Sequence, residues 1–85
     1  MYPDDETANL NAANAAMARG DLQRAERYLS KSGNRGETIY AKGVSAALSK
    51  EYDKAVALFR EALNAGITEA EGALRQVTEL SNQSK

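Results

Sequence analysis

The sequence predicts an all-α protein of five helices, and three observations predict it. Apolar residues recur at helical spacing in five segments, and no stretch of useful length alternates with the period of two that a half-buried strand needs. Glycines fall at the ends of these segments, Gly20 where a left-handed cap would sit and Gly66 at the end of the fourth, while "SGNRGE" breaks the second. Finally, the chain displaced by 30 residues lies on itself with large and small side chains in step.

The first helix is expected over about Thr7 to Arg19, with Leu10, Ala13 and Met17 spaced along it and Gly20 at its cap. Asp21 caps the second, about Leu22 to Lys31, whose stripe is Leu22, Ala25 and Leu29 before "SGNRGE" breaks it. The third, about Glu37 to Ser49, carries Ile39, Tyr40, Gly43, Val44, Ala46 and Ala47, a wide face of small residues that suits close neighbours on more than one side. Tyr52, Ala55, Val56, Phe59, Ala62 and Leu63 define the fourth, about Tyr52 to Asn64, and Gly66 ends it. Thr68 and Glu71 read as a capping box opening the fifth, with Ala70, Leu74, Val77 and Leu80 facing inward and a frayed tail behind.

The displacement by 30 turns this series into an architecture. Leu22, Ala25, Tyr28 and Leu29 fall on Tyr52, Ala55, Leu58 and Phe59, and Ala13 falls on Gly43. Two helical hairpins therefore share one packing scheme. The small residue of the first helix lets the alanine of its partner approach, and Leu29 or Phe59 fills the remaining gap.

This pattern resembles the tetratricopeptide repeat. Gly20-Asp21-Leu22, Ala25, Leu29 and Ser32 stand at the family's turn and second-helix positions in a first repeat, and Glu51-Tyr52, Ala55, Phe59 and Ala62 do so in a second; "EYDKAVALFREAL" is the most typical stretch. The resemblance implies a right-handed α-α superhelix: repeat 1 over about 5–33, repeat 2 over about 36–66, a capping helix over about 68–81 and a tail at 82–85. Pro3 matches the proline that commonly closes such a repeat, which implies a preceding repeat in a longer protein. Departures from the pattern are Asn9 and Ile39 in place of an early aromatic, Lys42 in place of leucine, and a spacing of 30 rather than 34. Lys50 stands where Gly20 stands in the first repeat, so a left-handed turn is expected at a lysine. The stretch "MYPDDETANLNAANAAMARGDL" is also similar to the C-terminal end of OmpA-like envelope proteins from Bacteroidetes, which implies a bacterial periplasmic or outer-membrane-associated address.

Composition narrows the function. The 85 residues make one domain at most, 42% hydrophobic, with 11 basic against 12 acidic residues and a net charge of −1. That balance lacks the basic footprint of a nucleic-acid binder, and "TANLNAANAAMA", the longest uncharged stretch, is too short and polar to insert in a bilayer. With no histidine and no cysteine, the usual acid-base group, nucleophile pairings and zinc ligands are missing, so no enzyme and no cofactor are expected. "DDE" at Asp4 to Glu6 suits a helix start better than a metal. "GNRGETI" imitates the GxxG clamp of KH domains but comes without their sheet, and reads as an inter-repeat loop.

Recognition surfaces remain. First helices line the concave face in repeats of the resembled kind, which implies Leu10, Asn14, Met17, Tyr40, Val44 and Ala47 as candidates for binding a peptide or partner helix. Tyr40 is the strongest, since aromatics anchor interfaces disproportionately. The packing alternative spends these residues on the fifth helix or on a preceding repeat, and takes "ANLNAANAAM" as an inter-repeat surface with Asn9 and Asn11 merely solvated; the alternative function is a spacer or cap inside a larger envelope protein. Under either reading the chain is expected to self-associate weakly through an uncovered flank.

Overall fold

A computed structural model of the chain describes residues 6–33 and 35–83. Pro3, Asp4, Asp5, Asn34 and the final two residues lie outside that set, and with them the expectations placed on Pro3 and on "DDE". Five helices fill the described residues: α1 (Glu6–Ala18), α2 (Leu22–Ser30), α3 (Gly36–Leu48), α4 (Tyr52–Asn64) and α5 (Glu69–Gln83). No strand occurs among them.

The turns explain why the helices stop where they do. After α1 the Gly20 N–H donates to the Met17 carbonyl at 3.0 Å and the Asp21 N–H to the Ala16 carbonyl at 2.9 Å. Gly20 is left-handed, at φ +79°. This is the Schellman pattern, which satisfies carbonyls that the helix end leaves open. After α3 the same two bonds recur 30 residues on, from Lys50 to Ala47 at 3.0 Å and from Glu51 to Ala46 at 2.9 Å. They recur again after α4, from Gly66 to Leu63 and from Ile67 to Ala62, both at 3.0 Å. The next helix starts at once: the Asp21 carboxylate accepts the Arg24 N–H at 3.2 Å, as an N-cap should.

Lys50, at φ +63°, is the non-glycine residue with positive φ among the described residues. Its side chain is exposed, so nothing in the core compensates for the strain of a Cβ in that conformation. Lys50→Gly is expected to stabilise the protein by about 0.5–1 kcal/mol, the added freedom of the unfolded chain offsetting part of the relief. Thermal melts should show a rise of roughly 3–6 °C. A lower melting temperature would contradict the account of this turn.

Packing between helices follows chain order. α1 lies against α2, α3 against α4, and α4 against α5, while α3 also touches both α1 and α2. Neither α1 nor α2 packs extensively on α5, so the helices do not close into a ring. The molecule is a slab of 39 × 26 × 15 Å with a radius of gyration of 12.4 Å. Its core has two lobes. One gathers Leu10, Ala13, Leu29 and Ala41; the other gathers Ile39, Ala46, Ala55, Phe59, Ala62, Ala70 and Val77.

Equivalent residues hold the two hairpins. Ala13, Ala25 and Ala55 are fully buried, and Leu29 and Phe59 are 2% exposed. A Cβ placed on Gly43 would stand 2.7 Å from Phe59 Cε1 and 2.8 Å from Cδ1, a separation real side chains do not tolerate. The larger Phe59 thus takes the space that Ala13 occupies in the first hairpin. The Tyr40 ring also packs on Phe59, with centroids 5.5 Å apart and planes at 53°.

Several local expectations need correction. Asn9 is buried rather than solvated, and Thr38, Ser32 and Ser45 join it in the interior. Ser32 donates to the Tyr28 carbonyl at 2.7 Å and Thr38 to the Ser32 carbonyl at 3.1 Å, so the seam between the hairpins is satisfied internally. The Thr68–Glu71 capping box does not form: the Thr68 hydroxyl donates to the Glu69 carboxylate at 3.3 Å, and Glu71 pairs with Arg75 at 3.4 Å. Helix α5 runs to Gln83, into the segment expected as tail, because the Ser81 hydroxyl reaches the Asp53 carboxylate of α4 at 3.1 Å and helps hold the last turn down. Leu80 is 38% exposed and does not face inward.

Candidate functional site

Helical spacing places two ridges on one face. Leu10, Asn14 and Met17 stand at i, i+4 and i+7 of α1, and Tyr40, Val44 and Ala47 repeat that spacing 30 residues later on α3. Between the ridges lies a groove of about 380 Å³ lined by Leu10, Asn14, Met17, Glu37, Tyr40, Ala41 and Val44, and closed at one end by Ile67 and Glu69. Tyr40 and Val44 are shared with a second groove of about 320 Å³, which runs on between α3 and α5 past Ala47, Leu48, Ala73, Gln76 and Leu80, with Phe59 and Val77 at its floor. The two form one trough along α1, α3 and α5.

All six residues expected to line a binding face are therefore on the trough, with different degrees of freedom. Asn14 is exposed and Met17, Tyr40, Val44 and Ala47 are half-buried, with room for a ligand to add contact. Leu10 is only 9% exposed, because it packs into the first core lobe with Ala13, Leu29 and Ala41. Tyr40 is half-buried, with its ring tilted against that of Phe59.

Sequence reasoning missed the α5 wall. The 30-residue displacement carries Tyr40, Val44 and Ala47 onto Ala70, Leu74 and Val77, but Ala70 and Val77 are buried and the trough is walled instead by Glu69, Ala73, Gln76 and Leu80. Helix α5 is turned by about one residue relative to the repeat, so that its apolar stripe seals α4. The signal was present as a second ridge at 69, 73, 76 and 80, with the i, i+4, i+7, i+11 spacing of one helix face. Leu48, likewise unforeseen, follows from Val44 at i+4.

Charge is distributed unevenly around the molecule. Glu37 and Glu69 flank one end of the trough, and no lysine or arginine lines either part of it. Glu37 has Arg35 3.6 Å away, and Arg35 also reaches the Thr7 hydroxyl at 3.4 Å. A groove between α2, α3 and α4 has Lys42, Lys54 and Glu26 on its rim, and another between α1 and α2 has Arg19, Arg24 and Asp21. Among the described residues no three acidic, histidine or cysteine side chains gather closely enough to hold a metal ion, and no helix is long and apolar enough to cross a membrane. Compared with family models, with curated proteins and with solved structures, the chain matches none of them.

Proposed function

We propose that the chain is a non-catalytic interaction module of the tetratricopeptide-like kind, which takes a peptide or partner helix in the trough of α1, α3 and α5. The observation that supports this most is the coincidence of the repeat with the surface: two ridges related by 30 residues, 10/14/17 and 40/44/47, both line the trough. An amphipathic ligand reads such ridges through apolar anchors, while Asn14 can hydrogen-bond a ligand's polar groups. We further propose a bacterial cell-envelope setting, resting on the resemblance of residues 1–22 alone.

One observation favours the spacer reading. Leu10 and much of Tyr40 are occupied by the protein's own packing, as they would be in a structural element. The two readings separate on ligand selection. Peptides enriched from a random library against the chain should shift backbone amide resonances around Met17, Tyr40 and Val44, and the Met17→Ala, Tyr40→Ala double variant should weaken them at least about tenfold while keeping its helical circular dichroism. Shifts confined to the α2 side, or undiminished binding by the double variant, would favour the spacer.

A further inference from the structure

The trough is polarised, and its polarity describes the ligand. Leu48 and Leu80, 52% and 38% exposed, are the exposed large apolar side chains of the described residues, and both stand at the α3–α5 end. That end is lined by no charged residue. At the other end Glu37 and Glu69 flank the groove. Both acids sit in the first turns of α3 and α5, where the helix dipole favours them, which accounts for their sign. It does not account for the missing cations. Ten lysines and arginines are spread over the described residues, and the grooves at α2–α4 and at α1–α2 each take two of them, yet no lysine or arginine among the described residues lines the trough. Arg35 stands 3.6 Å from Glu37, whereas the Glu69 carboxylate accepts from the Thr68 hydroxyl at 3.3 Å and has no ion pair among the described residues.

We infer that the partner is a basic, amphipathic peptide segment: a lysine or arginine set between Glu37 and Glu69, with apolar side chains running past Tyr40 and Val44 to Leu48 and Leu80. The inference rests on the proposed interaction module and adds the chemistry of its ligand. Complementary charge would orient the segment and speed its capture, while the apolar end supplies most of the affinity. The same negative end disfavours nucleic acid and anionic lipid.

A random twelve-residue peptide library tests this, selected in parallel on the intact chain and on its Glu37→Gln, Glu69→Gln variant. Peptides taken by the unaltered chain should be enriched in lysine or arginine together with leucine, isoleucine or phenylalanine. Their affinity should fall about 3- to 10-fold on the double variant at low ionic strength, and the gap should narrow with added salt. The variant's own selection should keep the apolar preference and lose the basic one. Neutral or acidic peptides from the unaltered chain, or basic peptides that bind both proteins equally, would overturn the ligand assignment and leave the module standing. Failure to enrich any peptide would overturn both. Sedimentation showing a dimer that Leu48→Asp or Leu80→Asp dissolves would assign the trough to a second copy of the chain and overturn the peptide.

Discussion

Phe59→Ala is expected to cost about 3–5 kcal/mol, the range for removing a buried aromatic from a core. The ring is 2% exposed, touches Tyr40, fills the space left open by Gly43, and belongs to the lobe that joins α3, α4 and α5. A domain of this length has roughly 4–13 kcal/mol of total stability, so this loss takes a large fraction of it. The melting temperature should fall on the order of 20 °C, followed by circular dichroism. A loss below about 1.5 kcal/mol would mean that α3, α4 and α5 are held together by something other than this ring.

Glycine to alanine gives the second large effect, because its sign depends on the site. Both Gly43 and Gly72 lie inside helices, where alanine is favoured by about 1 kcal/mol. An added Cβ at Gly72 meets nothing within 4 Å, so Gly72→Ala should stabilise by about that amount. At Gly43 the Cβ collides with a ring that is 2% exposed, and overpacking of this kind costs about 1–3 kcal/mol. Gly43→Ala should therefore destabilise despite its better propensity, with unfolding in urea as the measurement. Equal gains at the two positions would show that α3 and α4 are not in close approach.

Much of this was legible from side-chain size and spacing. The five helices, Asp21 as a cap, the left-handed lysine and the alignment of Ala13 with Gly43 and Leu29 with Phe59 all follow from local chemistry or from the repeat. What stayed hidden depends on how many neighbours a helix has. Helix α3 touches α1, α2 and α4, so Thr38, Ala41 and Ser45 are buried although no single apolar stripe contains them. Polar residues such as Asn9 and Thr38 enter the interior where the chain supplies them with partners, a condition that periodicity does not encode. The same holds for the candidate site: the α1 and α3 ridges were readable, whereas the α5 wall depends on the rotation of that helix about its axis, which two overlapping stripes, 70/74/77 and 69/73/76/80, leave undecided.

The most direct test of the shared packing scheme exchanges one hairpin's pair for the other's. Gly43→Ala with Phe59→Leu gives α3 and α4 the small and large residues that Ala13 and Leu29 provide in the first hairpin. The double variant should lose at least about 1 kcal/mol less than the sum of the two single variants, because the Cβ then enters space the ring has vacated. Losses that add to within about 0.5 kcal/mol would contradict the common scheme, and with it the repeat on which the proposed binding face depends.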